Sequence, residues 1–345
     1  MGRDGGQGAR APQRHRGRGG VVAGARPADQ VWLDGRLVSA SEPHLRVDDR
    51  GFQLGDGAFE TLRARRGVVI ELYEHLARLH DSTDALAIRL PFDDRRLIEG
   101  IRELLAAEGL DAAGDGDEPP GDAALRITVS RGPIARRGLL PAGFDTASAT
   151  VAIQARPYAP PPVEVLARGV RAIVATVRRD PSSPLAGVKS TSRADYVHAR
   201  LEADRAGADD ALFLTTDGRL SEGTTANVFA IFERRLVTPP LGAAILGGTT
   251  RTWLLANASE LGYVGAEEDL RPADLWVADE AFLSSSVAGI VPLVTFEGRA
   301  IGDGRPGHRS LGLREAREAW IDERSRIHQG FQPPEPATTA ERPGR

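Results

Sequence analysis

Lys189 is the one lysine among the 44 basic residues of this 345-residue chain, the other 43 being Arg. Such a skew arises where Arg has replaced Lys wherever charge alone matters. A surviving Lys then marks a position whose chemistry Arg cannot perform, because an amine can lose its proton and form an imine whereas a guanidinium stays protonated. A chance survivor is the bland alternative. Lys189 ends the apolar stretch Leu185-Ala186-Gly187-Val188, and a helix is expected to begin near Ser192. Partly dry surroundings lower an amine's pKa and make it nucleophilic near neutrality. With Val188 before it and no G-x-x-x-x-G-K frame, Lys189 is not a phosphate-loop lysine.

The carbonyl partner most often met by such an amine is pyridoxal phosphate, an electron sink that stabilises carbanions. It makes three further demands. Its pyridine nitrogen needs a carboxylate, and Glu222 in Leu220-Ser221-Glu222-Gly223-Thr224-Thr225-Ala226-Asn227 reads as lying in a turn between two strands. Its phosphate needs a helix N-terminus, and Gly247-Gly248-Thr249-Thr250-Arg251 leads into one. A cationic clamp is the third demand, and Arg78 could supply it from a helix. Each has a plainer reading: an exposed turn Glu, a Thr that merely caps its helix, an Arg on a solvated face. Arg136 and Arg137 are the natural clamps for a substrate carboxylate.

Other chemistries drop out. There is no Cys, which removes disulfides, thiolate metal sites and Cys nucleophiles. His75 and His80 are five apart rather than the four of a one-face metal pair. No G-x-S-x-G elbow appears and no G-x-G-x-x-G follows a strand, and Gly51–Gly57 leads into a strand rather than a helix. No apolar run approaches the ~18–20 residues of a spanning helix. Residues 1–28 lack an apolar signal segment, so a cytoplasmic protein is expected.

The positioning elements follow from pattern. Residues 1–28 hold eight Gly and six Arg against one acid, the composition of a flexible arm. Removing them leaves 38 basic and 47 acidic residues, a net charge of −9, which argues against a nucleic-acid-binding body. Hairpins are expected around Asp34-Gly35 and Arg66-Gly67, and helices over 74–86, 95–108, 193–206, 250–261 and 313–326. Strands are expected at 125–130, 150–155, 169–177, 211–215, 227–231 and 235–237, with a Gly/Pro-rich acidic loop at 111–122. The prolines of 157–162 mark a linker. Two α+β domains, 29–156 and 163–330, with a polar tail at 331–345, are the expected organisation.

In this order the segments resemble the class IV aminotransferase family, the fold-type IV enzymes that use pyridoxal phosphate. The matching stretches are Asp49 to Glu60, Glu74-His75-x-x-Arg78-Leu79, Lys189, Ser221-Glu222-Gly223 to Phe229, Gly248-Thr249-Thr250-Arg251 and Phe282-Leu283-Ser284-Ser285-Ser286. They extend from about Val31 to Gly302. The resemblance implies a small N-terminal α/β domain and a larger domain with a pseudo-barrel β core. It further implies that Lys189 forms the internal aldimine and shuttles a proton, that Glu222 pairs with the pyridine nitrogen, and that Arg78, Thr249 and Thr250 hold the phosphate while Leu246 packs on the ring. Phe59, Ser285 and Ser286 would contact substrate, Phe59 standing where Tyr is frequent. A homodimer is implied as well. Within the family, Thr61 after Glu60 departs from the branched-chain pattern, and Gly138 two residues after Arg136 departs from the D-amino-acid Arg-x-His. Arg131-Gly132 to Leu139 and Lys189 to Arg193 resemble 4-amino-4-deoxychorismate lyase, while Gly248 to Arg251 and Ser284 to Val287 resemble the aminotransferases. An aminotransferase acting on an amino acid and a 2-oxo acid is the expected function. The lyase is the alternative, and a binding protein with a decayed site the outsider.

Overall fold

Strict alternation of buried and half-buried residues along β5 (Asp122–Ser130) makes it a strand with one face dry. The computed structural model describes residues 29–42, 44–112, 121–134, 138–140, 143–144 and 147–327. Arg136, Arg137, the 1–28 arm, the 331–345 tail and most of the acidic loop lie outside them. β5 is central to a six-stranded sheet with β1 (Gln30–Leu33), β2 (Arg36–Ser39), β3 (Gly57–Arg65), β4 (Val68–Val69) and β6 (Thr150–Pro157), in the order β2-β1-β6-β5-β3-β4. Its dry face is covered by α2 (Leu72–Ala85) and α3 (Asp94–Ala107), whose Leu76, Leu79, Leu97, Ile101 and Leu104 pack on Leu62, Leu125, Ile127 and Ile153. Trp32 lies so close to α3 that a Cβ on Gly100 would fall 2.5 Å from its ring.

The second sheet is buried on both faces. β8 (Asp210–Thr215) is buried at every residue, and β10 (Asn227–Phe232) at all but its last. Such strands read as continuous apolar runs without alternation. β13 (Glu280–Ser285) and β14 (Gly289–Phe296) are apolar runs of the same kind and were not among the expected strands, whereas β8 and β10 were. With β7 (Val170–Arg179) and β9 (Leu220–Gly223) these strands close on themselves in the order β10-β13-β14-β7-β8-β9, the ring being completed by pairing of Asn227 with Glu222. This is the pseudo-barrel that the family resemblance implied. β11 (Arg235–Thr238), β12 (Val264–Glu267) and β15 (Arg299–Ala300) extend it.

Two local readings are corrected and one helix is added. Glu222 lies on β9 rather than in a turn: it pairs with Asn227 of β10, and its strand neighbours Leu220 and Gly223 pair with β8. The 68–72 strand shrinks to β4, since Glu71 has φ 54° and turns the chain into α2. Arg50–Leu54 forms a short helix, α1, capped by the Asp49 side chain on the Gly51 N–H and closed by Gly55 at φ 66°. Outside the barrel lie α4 (Val163–Arg168), α5 (Ala194–Arg205), α6 (Thr249–Asn257), α7 (Pro272–Val277) and α8 (His308–Ile327). No helix among the described residues is long and apolar enough to cross a membrane.

Candidate active site at the seam of the two sheets

After β7 the chain crosses back to the first sheet. Ser190 bridges Ala58, the Phe59 N–H donates to the Lys189 carbonyl at 2.9 Å, and the Thr191 N–H donates to the Gly57 carbonyl at 2.8 Å. These two backbone hydrogen bonds, which make up the bridge, fix Lys189 against β3. Its ammonium nitrogen stands 4.7 Å from the centroid of the Phe59 ring. Desolvation is the main reason its pKa falls to about 8; Arg78 and Arg193 push the same way, while Glu60 and Glu222 oppose them. An amine in that condition is a competent nucleophile and base near neutral pH.

Glu222 is buried at the barrel's closing bridge. Its carboxylate accepts the Leu246 N–H at 2.8 Å and the Tyr196 hydroxyl at 3.1 Å. The Leu246 carbonyl in turn accepts from Asn227 Nδ2 at 2.8 Å, so the two bridging residues hold Leu246 from both sides. Ser284, paired with Asn227 on the next strand, carries a buried hydroxyl with no hydrogen-bond partner among the described residues.

α6 begins at Thr249 with Gly248 as its cap, and no side chain occupies the capping position. Its first amides therefore have no intrahelical acceptor and are free to meet an anion. Neither Thr249 nor Thr250 is spent on capping, and both are buried. Gly248 cannot carry a side chain, since a Cβ would lie 2.1 Å from Asn227 Oδ1. Arg78 reaches this terminus from α2, but its Nε and Nη2 both donate to Glu60, each at 2.7 Å, and Nη1 donates to the Gly247 carbonyl at 2.6 Å. His75 Nδ1 lies 2.7 Å from Glu60, and its Nε2 lies 3.4 Å from the Thr249 hydroxyl. Burial alone would raise the pKa of Glu60, but hydrogen bonds from Arg78 and His75 outweigh it and hold the carboxyl at about 2.

These groups open onto one cavity of about 770 Å³. Lys189, Glu222, Leu246, Thr249, Thr250 and Arg78 line it, as do Phe59, Ser285 and Ser286. Arg136 and Arg137 fall outside the described residues. Four further arginines line the cavity: Arg168 and Arg200, which pair with Asp209 and Asp210, and Arg126 on β5 and Arg193 just before α5. Arg126 stands 3.9 Å from the Phe59 ring and Arg193 3.1 Å from that of Tyr196. Neither forms an ion pair with a carboxylate among the described residues. Desolvation first, and mutual repulsion second, lower the pKa of Arg126. The available signal was register: Thr61 pairs with Arg126 and Phe59 with Thr128, so Arg126 shares the Phe59 face of the sheet. A buried carboxylate, cations without an ion-pair partner among the described residues and a reactive amine lining one cavity suit a small zwitterionic or anionic ligand.

Residues 57–296 match the amino-transferase class IV family. A protein named "Putative branched-chain-amino-acid aminotransferase" from Methanocaldococcus jannaschii is 35% identical over 287 residues, 83% of this chain and 94% of that protein. D-alanine aminotransferase of Bacillus licheniformis is 32% identical, with 83% and 95% covered. Among solved structures, the branched-chain amino acid aminotransferase of Escherichia coli superposes with a TM-score of 0.78 at 26% identity, over 86% of this chain and 95% of that one. A branched-chain amino acid aminotransferase solved with pyridoxamine 5'-phosphate has the same score and identity, over 88% and 97%. The 4-amino-4-deoxychorismate lyase of Pseudomonas aeruginosa superposes with a TM-score of 0.69 at 30% identity, over 85% and 99%.

Proposed function

The chain belongs to the class IV aminotransferase family, and from that premise we propose that it transfers an amino group between an amino acid and a 2-oxo acid with pyridoxal 5'-phosphate held at Lys189. One observation carries the reading: the depressed Lys189 amine, the buried Glu222 carboxylate and the uncapped N-terminus of α6 share a single cavity. The unpartnered Ser284 hydroxyl beside them is a further group wanting a ligand. The cofactor, when bound, supplies the electron sink.

The chain's own residues supply the rest. Lys189, held in dry surroundings beside Phe59, would take a proton from the substrate's Cα and return it. Glu222, held by Tyr196 and Leu246, would face the pyridine nitrogen and hold its proton. Thr249, Thr250 and the first amides of α6 hold the phosphate and fix orientation. Arg126 receives the substrate carboxylate, because its charge is buried and has no acid beside it among the described residues. Phe59, Val188 and the prolines 160–162 line the substrate side with apolar surface, which favours an apolar side chain.

A second subunit is proposed beside this site. Phe52 and Leu54 of α1 are exposed, Gly55 abuts Ser192, and Val197 and Leu201 are exposed one turn apart on α5. A cytoplasmic dimer is the corresponding reading.

The test is the absorbance of the purified protein before and after single amino acids: L-leucine, L-glutamate, D-alanine and D-glutamate. A yellow band that one of them bleaches supports transamination and identifies the donor. The lyase reading draws on the Pseudomonas structure and on Arg193 four residues after Lys189. It expects a band that none of them bleaches, with turnover of 4-amino-4-deoxychorismate. No band after adding pyridoxal 5'-phosphate would refute both.

A further inference from the structure

Lys189 stands where two kinds of backbone support meet. On its C-terminal side the chain is bonded to β3: the Lys189 carbonyl accepts the Phe59 N–H, and the Gly57 carbonyl accepts the Thr191 N–H. On its N-terminal side, residues 180–188 run through turns whose hydrogen bonds are local. The N–H groups of Ser183, Ala186 and Val188 donate to the carbonyls of Asp180, Ser183 and Leu185. At the junction the Lys189 N–H donates to the Ser82 hydroxyl of α2 at 3.1 Å.

Ser82 is 2% exposed, and its use of the hydroxyl differs from that of its neighbour. Thr83 gives its hydroxyl to the Leu79 and His80 carbonyls of its own helix, each at 3.0 Å, the common habit of hydroxyl residues inside helices. Ser82 instead meets another segment of the chain. The backbone carbonyls of this last turn are already engaged: Ser82, Thr83 and Asp84 accept from Leu86, Ile88 and Ala87. A side-chain oxygen is therefore what α2 has to offer the Lys189 N–H, and a main-chain N–H taken from water without an acceptor is costly.

His75, Arg78 and Ser82 are spaced i, i+3, i+7 and share one face of α2. His75 lies 3.4 Å from the Thr249 hydroxyl and Arg78 donates to the Gly247 carbonyl, both at the N-terminus of α6, while Ser82 holds Lys189. One rigid helix thus sets the separation between the anion cup and the backbone that carries the amine. A lysine side chain has four rotatable bonds, so freedom at its root multiplies the positions its amine must search, and small misplacements cost rate steeply.

We propose that Ser82 is a positioning residue for Lys189, its hydroxyl fixing the backbone from which the amine extends at a set reach from the N-terminus of α6. This rests on the pyridoxal-phosphate reading of the site. Ser82 does not line the cavity and acts through Lys189 alone.

The experiment compares two ligands on cofactor-free protein. Pyridoxal 5'-phosphate needs the amine, because capture joins the Lys189 nitrogen to the aldehyde carbon and expels one water. Pyridoxamine 5'-phosphate has no aldehyde and relies on the remaining contacts. Ser82→Ala removes one oxygen and keeps a good helix former; Ser82→Thr restores the hydroxyl. The yellow band should form about tenfold more slowly in Ser82→Ala than in wild type, the size of one lost hydrogen bond. Pyridoxamine 5'-phosphate, titrated by calorimetry, should bind both within about twofold. The tenfold ratio should be the same at pH 7 and pH 9, since position rather than protonation has changed, and Ser82→Thr should recover most of the rate. A ratio that disappears at pH 9, an equal weakening of both ligands, or a folded Ser82→Thr no faster than Ser82→Ala each overturns the proposal. If Ser82→Thr does not fold, the two-ligand and two-pH comparisons of Ser82→Ala decide. Capture by Ser82→Ala at the wild-type rate sinks only this inference. A wild-type protein that never gains the band sinks the functional reading beneath it.

Discussion

Phe59, Thr61, Arg63 and Arg65 alternate onto one face of β3, and that face serves two regions with opposite charge balance. At the Arg63 end each cation has an acid. Arg63, 2% exposed, donates to Glu318 of α8 and to Asp122, Arg65 to Asp122, and Arg66 to Asp322. Arg317 of α8 pairs with Glu71 and lies between the rings of Trp253 and Trp320. At the Phe59 end, Arg126 and Arg193 also lie over aromatic faces, yet neither has a carboxylate partner among the described residues, and Lys189 shares their space. The packing device is common to both: a guanidinium stacked on a ring. The difference is where the counter-charge comes from. A buried cation without an anion is costly, so the Arg63 end is closed by folding, whereas on the proposed function the Phe59 end takes its counter-charge from the substrate.

The sharpest way to break this contrast is at the amine. Lys189→Ala should reduce turnover by more than about a thousandfold while leaving the fold intact, since proton transfer by a positioned base contributes that much or more. Single-turnover bleaching of the absorbance band measures it, and residual wild-type rates would place the chemistry elsewhere. The wild-type protein carries a pH signature as well. A pKa near 8 instead of the ordinary 10.5 means that the free amine is largely formed above pH 8 and falls about tenfold per unit below it. Capture of pyridoxal 5'-phosphate by cofactor-free protein should accelerate up to about pH 8 and then level off. A rate still climbing at pH 10 would mean that the amine is as well solvated as a surface lysine.

Lys189 was legible because composition isolated it, and the Glu222 and Thr249–Thr250 segments because glycines and hydroxyls flank them in a recognisable order. Glu60 and His75 were not weighed as a unit. An acid inside a strand and a histidine on a helix carry no sign of each other until β3 and α2 pack, and His75 was tested only for metal-ligand spacing. Arg126 was missed for a related reason. Alternation along β5 says that it opposes the core face, but only the register with β3 says that this other face borders a cavity. β13 and β14 lack alternation because both their faces are covered. Half of the barrel wall was legible: the strands expected at 169–177, 211–215 and 227–231 are β7, β8 and β10.

Arg126→Met sharpens the comparison at the second level. It retains length and apolar bulk over Phe59 while deleting the charge. If the unpaired guanidinium exists for a substrate carboxylate, KM should rise about thirtyfold to a hundredfold with kcat changed much less, the loss of one charge-assisted contact of about 2–3 kcal/mol. The variant should also melt no lower than wild type, because it relieves a desolvated cation that has no partner. Steady-state kinetics and a thermal melt test both halves. A lower melting temperature with unchanged KM would mean that Arg126 belongs to the scaffold.

The smallest effect on chemistry is expected from Glu318→Gln. This change removes an acceptor of Arg63 and leaves Asp122, at 3.2 Å, as its remaining acid. Because Glu318 is partly exposed, the destabilisation should be about 1–3 kcal/mol, below that of a fully buried pair, with kcat and KM within about twofold. The sign of the pH dependence follows from the carboxyl. Burial opposes ionisation of Glu318, but Arg63 outweighs it and holds the pKa below the ordinary 4.5. The pair therefore stabilises the fold above that value and loses its contribution as pH falls beneath it. Melting temperatures of wild type and variant should differ by several degrees at pH 7 and converge in acid, as pH falls through the lowered pKa of Glu318. A gap that persists in acid would assign the loss to packing against Arg63 rather than to charge. A large fall in kcat at pH 7 would mean that the ionic end of β3 and the cavity end are one mechanical unit, and the division drawn along that strand would not stand.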